Sequence, residues 1–166
     1  HTIIGARIPG MFSKERHVYA MLNNILAGPG MNSLLNVKLR EKRGLVYSVE
    51  SSTSVYTDSA ALTIYYGCDP DDNKKCLRLV TDTLRHLADK PLSPRGVQKA
   101  QRQYLGQLIV ARDNREQVIL STARSAFFYG NILTSSEIVD RINSITPEQL
   151  QNAAQSLLGY SSLTIK

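Results

Sequence analysis

GPGMNSLLNVKLREKRGLVYSV, residues 28–49, is the stretch that decides the fold of this 166-residue chain. Gly28 and Gly30 can adopt positive φ, and Pro29 has a fixed φ and no backbone donor. A helix that arrives from Glu15–Ala27 must therefore end at this loop. The sequence predicts a break here, followed by a second helix, a glycine stop and a strand.

The second helix is predicted to begin at Asn32 or Ser33, which are both good N-cap residues. Cationic residues crowd its last turn, where they oppose the negative end of the helix dipole, and Gly44 is the predicted C′ residue. Helical spacing predicts one apolar face, made of Met31, Leu34, Leu35 and Leu39. In the strand that follows, period two predicts one shared face for Tyr47, Val49, Ser51, Thr53 and Val55.

Arg40 and Tyr47 are the candidate functional residues, because these two elements would present them at one corner. Arginine is always charged and has a fork of donors, and tyrosine is a neutral O–H donor at pH 7. Neither is a good general base, but both suit a carbonyl oxygen that becomes negative when water attacks it. The ordinary alternative is a solvated arginine at a helix end and a tyrosine at the rim of the core, and a short motif alone favours that alternative.

The segment resembles a family pattern, approximately GGGMSSRLFxxxREKxGLxYSV, of the second, metal-free half of the pitrilysin-type (M16) zinc peptidases. The helix spacing, the R-E-K, the G-L and the Y-S-V agree, and similarity extends through the rest of the chain. Two positions depart from the pattern. Pro29 replaces a glycine and stiffens the loop, and Leu34 stands where an arginine is common.

This resemblance implies that Arg40 and Tyr47 are catalytic residues that reach across a chamber to the substrate at the zinc of the other half. It implies more weakly that the loop contacts substrate through Gly28, Gly30, Met31, Asn32 and Ser33. The family's zinc site is an inverted His-x-x-Glu-His helix plus a distant Glu. The three histidines of this chain lack His or Cys partners at ligand spacing: His1, His17 and His86. No metal site is expected in this chain, and zinc is expected only in a missing N-terminal half.

Patterning along the chain predicts one α+β domain over residues 1–166, an antiparallel sheet of about four strands with helices on one face. Strands are predicted at 2–8, 45–56, 60–68 and 161–165. Helix starts are predicted at Ser13, at Asp69-Pro70, at Ser93-Pro94, at Asn114, at Ser135 or Ser136, and at Thr146-Pro147. The resemblance implies the same architecture, one half of a pseudo-symmetric pair of α/β roll domains. A chain that starts and stops on strands suggests a domain excised from a longer protein.

Composition limits the other classes of function. The formal net charge is +6, but the basic residues are scattered, so no nucleic-acid partner is expected. The sequence contains no run of eighteen apolar residues, so no membrane span is expected. No signal peptide is visible, and the compartment, cytoplasmic or periplasmic, stays open. Cys68 and Cys76 give neither a disulfide framework nor metal-finger spacing, and two free thiols are favoured over a bridge.

The function expected from the resemblance is that of the second half of a zinc-dependent metalloendopeptidase, inactive by itself, which completes the substrate chamber. Its expected partners are a peptide substrate and an N-terminal M16 domain, in the same protein or in a partner subunit. Assembly as a homodimer is left as a further alternative. The alternative is a non-catalytic structural or processing-complex subunit of the same fold. The presence of both Arg40 and Tyr47 favours the peptidase, because a purely structural relative has no evident need for either.

Overall fold

The computed structural model describes residues 1–165 and contains a four-stranded antiparallel sheet in the order β2-β3-β1-β4. The strands are β1 Thr2–Ile8, β2 Val46–Val55, β3 Ala60–Cys68 and β4 Ser161–Thr164. The predicted α+β class is confirmed, and β1 is paired with the other central strand, β3, along its whole length.

The helices are α1 Arg16–Ala27, a π-helix Asn36–Glu41, α2 Asn73–Asp89, α3 Pro94–Ala111, α4 Arg115–Tyr129, α5 Ser135–Asn143 and α6 Pro147–Ser156. Short 3-10 turns precede α2 and follow α6. Among the helices of residues 1–165, none combines the length and apolar character that a bilayer crossing requires.

The core lies between one face of the sheet and the helices. Side chains at alternate positions of β1 and β3 point into it, as period two predicts for a strand with one covered face. The helices contribute fully buried side chains that include Met21, Leu22, Leu26, Val80 and Leu84. Each such side chain stabilises the fold by about 1.5–3 kcal/mol relative to exposure, so this layer fixes which face of the sheet is covered.

The other face of the sheet is open to solvent. Ile3 of β1 and Leu163 of β4 pair on this face, and both are exposed. Further residues of the central strands on this face include Gly5, Thr63 and Gly67. This open face leads to the predicted functional corner.

The helix starts agree with the sequence wherever a side chain completes the cap. Asn114 Oδ1 accepts a bond from the Gln117 N–H at 3.2 Å, and Thr146 with Gln149 forms the predicted capping box. α5 begins at Ser135, as predicted, and its cap is Thr134, which forms a capping box with Glu137. The predicted start of α1 at Ser13 is wrong. α1 begins at Arg16, because the Ser13 hydroxyl accepts from the Glu15 N–H in a turn before the helix.

The two cysteines are free thiols, as the sequence favours. Cys68 ends β3 and is half-buried, whereas Cys76 is buried in α2. Burial raises the pKa of the Cys76 thiol to about 12, so this thiol stays protonated at neutral pH.

Candidate functional site

Tyr47 lies at a β-bulge in β2. Val46 pairs with Cys68 and Ser48 pairs with Gly67, so Tyr47 is the extra residue between two paired positions. A bulge redirects a side chain, and Tyr47 is 60% exposed on the open face. The predicted face shared with Val49 is therefore wrong for Tyr47: Val49 is 7% exposed and points into the core.

The Tyr47 ring lies across Gly67 of the neighbouring strand. A Cβ atom on Gly67 would lie 2.6 Å from Tyr47 Cζ and 2.8 Å from its hydroxyl oxygen, so only glycine leaves room for the ring. The hydroxyls of five other tyrosines make hydrogen bonds to the protein, whereas within residues 1–165 that of Tyr47 makes none. The Tyr47 hydroxyl is thus held at the surface with its donor free.

The helix that carries Arg40 is wider than an α-helix. The Lys42 N–H donates to the Val37 carbonyl at 3.0 Å, five residues back, which is the π-helix pattern. The helix closes at Gly44, whose φ of +59° is the left-handed conformation predicted for the C′ residue. Single π-turns occur frequently at functional sites, and this one ends at Glu41, five residues before β2 begins at Val46.

Arg40 is exposed at this corner, while the cations on either side of it are anchored. Lys38 Nζ donates to Thr83 Oγ1 at 3.0 Å, and Arg43 Nη1 donates to the Lys38 carbonyl at 3.0 Å. Burial, followed by the charge of Arg43, lowers the pKa of Lys38. The guanidinium of Arg40 makes no hydrogen bond to the described part of the chain, so its donors remain available to a ligand.

In the Gly28–Ser33 loop neither glycine has a positive φ, and both lie close to neighbouring atoms. Gly28 has a φ of −62°, and a Cβ there would lie 2.8 Å from the backbone of Asn24. A Cβ on Gly30 would lie 2.7 Å from Asn32 Oδ1 and from Gln103 Nε2. The two glycines therefore do not adopt the left-handed conformation that the sequence allowed. They let the loop pack closely on α1 and α3 instead.

Amide side chains attach this loop to α3. Asn32 Nδ2 donates to Gln103 Oε1 at 2.8 Å. Met31 is exposed, which overturns its predicted place on the apolar helix face, because it lies in the turn before the helix starts. Ser33 is 3% exposed and its hydroxyl oxygen accepts from Asn36 Nδ2 at 2.8 Å. Of the loop candidates, Met31 and Asn32 present side chains to solvent.

The described residues do not fit a zinc ion. Within residues 1–165, no group of three or more His, Cys, Asp and Glu side chains could hold a metal. His1 Nδ1 lies 2.7 Å from the Tyr65 hydroxyl, and His17 Nε2 accepts from Arg16 Nε at 3.2 Å. The π-helix and β2 each expose one candidate hydrogen-bond donor, the guanidinium of Arg40 and the hydroxyl of Tyr47.

Comparison with known proteins identifies the family. Residues 1–104 match the family model described as the peptidase M16 inactive domain. The chain is 32% identical over 161 residues to an uncharacterized zinc protease of Streptomyces coelicolor, an alignment that covers 96% of this chain and 34% of that protein. It is 28% identical over 137 residues to the uncharacterized zinc protease YmxG of Bacillus subtilis, covering 82% of this chain and 33% of that protein. The chain thus spans about a third of the length of these relatives.

Solved structures with the same fold agree with this assignment. A protease from Helicobacter pylori superposes with a TM-score of 0.83 at 13% identity, covering 97% of this chain and 40% of that one. A peptidase M16 inactive domain from Pseudomonas fluorescens gives a TM-score of 0.80 at 18% identity, covering 97% of this chain and 40% of that one. Fold, family pattern and relatives therefore converge, and the chain belongs to the peptidase M16 family as its C-terminal, inactive domain.

Proposed function

We propose that this domain completes the substrate chamber of an M16 zinc metalloendopeptidase and that Arg40 and Tyr47 bind the peptide at the bond that is cleaved. The observation that carries the proposal is the bulge, which holds the Tyr47 hydroxyl outward over Gly67 with no protein partner among the described residues. A tyrosine that served only packing would have no need of a redirected strand.

The chemistry assigned to the pair is hydrogen-bond donation. When water attacks a peptide carbonyl, its oxygen gains negative charge, and donors that are already in place stabilise that charge without reorganisation. The Tyr47 O–H supplies one neutral donor. The Arg40 guanidinium supplies a charged fork, which suits either the same oxygen or a neighbouring carbonyl of the substrate backbone.

The loop and the open sheet face would position the rest of the peptide. Met31 and Asn32 are the exposed loop residues, and Asn32 is oriented by Gln103. The missing side chain of Gly5 leaves space over the sheet for an extended chain. Gly28, Gly30 and Ser33 would act through the shape of the loop, since Gly28 and Ser33 are buried and Gly30 is half-buried.

The metal would come from outside this chain. Among the described residues no group of three or more His, Cys, Asp and Glu side chains could hold a metal, and the relatives are about three times as long as the chain. An N-terminal M16 domain, in the same polypeptide or in a partner subunit, would supply zinc and the catalytic Glu. The 166-residue chain alone is accordingly expected to cleave no peptide.

Substitution of Tyr47 by Phe in the intact protein tests the tyrosine. Loss of one oxyanion donor should lower kcat by roughly 10²–10³ with little change in KM. Tyr56→Phe is the matched control, because Tyr56 is 62% exposed just beyond the opposite end of β2. Steady-state kinetics and zinc content would be measured on the same preparations. A normal kcat in Tyr47→Phe would refute the catalytic assignment.

Substitution of Arg40 by Lys tests the arginine. Lysine keeps the charge but loses the planar fork, so catalysis should be impaired, with more of the loss in KM if Arg40 mainly holds the substrate backbone. Arg85→Lys, on the solvent side of α2, is the control. Unchanged turnover in both variants would refute the assigned roles, whereas no turnover in the intact wild-type protein would support the alternative, a non-catalytic structural or processing-complex subunit.

A further inference from the structure

A cavity lies at the end of β2 that is remote from Tyr47. It encloses about 650 Å³ between the end of β1, the start of α1, the end of β2 and the C-terminal half of α4. From Tyr47 to Val55 the strand rises about 27 Å, at about 3.4 Å per residue. The cavity is therefore separate from the corner assigned to catalysis.

The walls of this cavity are mainly apolar and aromatic. They include Met11, Val55, Phe128 and Tyr129. The volume lies in the range of sites that hold small organic ligands, about 300–1,000 Å³. A ligand of that size with an apolar body would therefore fit.

The charged residues that line the cavity are all basic. Arg16 and Arg124 line it, and no Asp or Glu does. A third arginine, Arg141 of α5, lies 3.5 Å from the His17 ring at the cavity wall. Glu15 and Asp140 are the acids nearest to these arginines in sequence, and neither lines the cavity. Positive charge at a concave apolar site favours an anionic ligand.

His17 does not add to this charge. Arg16 Nε donates to His17 Nε2 at 3.2 Å, and because arginine has only donors, Nε2 must accept and the ring proton must lie on Nδ1. Burial, with further effects of Arg16 and Arg141, lowers the pKa of His17 to about 4. The histidine is thus a neutral spacer that orients the Arg16 guanidinium.

Arg16 is held in place before any ligand arrives. Its Nη1 donates to the Met11 carbonyl at 3.2 Å, and its guanidinium carbon lies 4.3 Å from the centre of the Tyr129 ring. Tyr129 also donates to the Met11 carbonyl, at 3.1 Å, which docks the end of α4 on this turn. Three of the five guanidinium N–H donors of Arg16 remain without a partner in the described chain.

We propose that this cavity binds a carboxylate attached to an aromatic or branched aliphatic body. The arginines bind the carboxylate, because the guanidinium fork matches the planar geometry of that group, and the apolar wall holds the body. The same chemistry is present in a free arylalkanoic acid and in the C-terminal residue of a peptide. The proposal does not depend on the catalytic role of Arg40 and Tyr47.

Calorimetric titration of the intact protein tests this site, with 4-phenylbutyrate as the probe and 4-phenylbutan-1-ol as its uncharged counterpart. The protein is first dialysed against a chelator, so that carboxylate binding to zinc cannot contribute. Saturable binding of the acid is expected at one site. The alcohol should bind at least about tenfold more weakly, since it lacks the charge-assisted hydrogen bonds. Equal binding of the two, or no saturable binding of the acid, would overturn the proposal.

Two variants locate the binding. Arg124→Gln removes an exposed guanidinium and should weaken 4-phenylbutyrate at least about fivefold. Arg115→Gln, on the same helix but outside the cavity lining, should leave the affinity unchanged. Ala20→Phe adds a ring at a lining position and should abolish the binding. Unchanged affinity in both Arg124→Gln and Ala20→Phe would exclude this cavity as the site.

Further probes distinguish the two sources of the carboxylate. N-acetyl-Gly-Phe is compared with its C-terminal amide, and both are compared with 4-phenylbutyrate. Tighter binding of the peptide acid assigns the site to a peptide C-terminus, and tighter binding of the arylalkanoate assigns it to a small acid. Displacement of 4-phenylbutyrate by inorganic phosphate at equal concentration would contradict the requirement for an apolar body.

Discussion

Gly67 is the residue that most directly controls the candidate site, because its missing side chain leaves room for the Tyr47 ring. Gly67→Ala should displace the Tyr47 hydroxyl, and a displacement of about 1 Å can cost about 10²-fold in rate. Stability should change by less than about 1 kcal/mol, since the displaced group is the end of an exposed side chain. Kinetics and thermal unfolding of the intact protein would measure both effects.

Gly5→Ala is the control for this prediction. Gly5 lies on the same open face, but a Cβ there would meet only Thr63 Cγ2, at an ordinary 3.9 Å. The Gly5→Ala variant should therefore have normal turnover. If the Gly67→Ala variant also had normal turnover while the Tyr47→Phe variant was impaired, catalysis would not depend on the position of the Tyr47 ring over β3.

His17 predicts a pH dependence of stability. Its pKa is about 4 in the folded state, because of burial and the charges of Arg16 and Arg141, against about 6.5 in the unfolded chain. Between these values the unfolded chain binds a proton that the folded chain does not, so the free energy of unfolding falls as pH falls from 6.5 towards 4. Because His17 is only half-buried, solvent screening reduces this loss to roughly 1–2 kcal/mol.

Urea unfolding of wild type and His17→Gln at pH 7.0 and pH 4.5 checks this expectation. The substitution should flatten the decline by the same amount, whereas His86→Gln, at an exposed position of α2, should leave it unchanged. Parallel pH profiles for wild type and His17→Gln would show that His17 is not the group responsible.

The sequence could identify the residues of the candidate site but not how they are oriented. Arg40 and Tyr47 follow from a motif, and the left-handed Gly44 follows from its place after a helix. The outward direction of Tyr47 depends on an extra residue in the pairing with β3, which no pattern local to β2 reveals. The signal that could have found it is Gly67 itself, since a glycine inside a strand pattern often marks a bulge or a close approach.

At the level of the elements, Gln101 connects two helices that are distant in sequence. Its side-chain nitrogen lies 3.1–3.2 Å from the carbonyls of Ile142, Asn143 and Ile145, at and just after the end of α5. Gln101→Leu should destabilise the fold by about 1–3 kcal/mol, because these carbonyls lose their donor in a buried place. Gln98→Leu, exposed on the same helix, should be nearly neutral in the same denaturant titration.

Helix capping explains which elements the sequence could place. Starts were predictable where a side chain and its backbone partner lie three residues apart, as at Thr146 and Asn114. The π-helix was not predictable, because α and π spacing both bury Leu35 and Leu39, and the choice depends on how the next strand is joined. The start of α5 at Ser135 follows the same rule, because Thr134 and Glu137 form a capping box just before it.

At the scale of the whole molecule, α4 is the element with the weakest attachment to this domain. None of its residues is buried, and it presents Ile119, Leu120 and Phe127 to solvent, Phe127 at 83% exposure. Apolar patches of this kind mark surfaces that meet another protein or domain. We propose the N-terminal M16 domain as the partner that covers this surface.

Hydrogen exchange tests whether α4 is covered in the intact protein. In the isolated chain, amides of α4 should exchange faster than those of α2, which has six buried residues. In the intact protein α4 should become protected while α2 changes little. Equal exchange of α4 in both proteins would mean that its apolar face stays uncovered.

The bulge at Tyr47 makes the length of β2 between Val46 and Ser48 as important as the identity of its residues. If one residue were deleted there, the ladder with β3 would become regular, and Tyr47 would have to point inward or Val46 outward. A homologue that keeps the tyrosine but has a one-residue gap at this point would therefore be unable to present it to a substrate. We therefore expect the spacing between Val46 and Ser48, and not the tyrosine alone, to decide whether a member of this family can point that side chain outward.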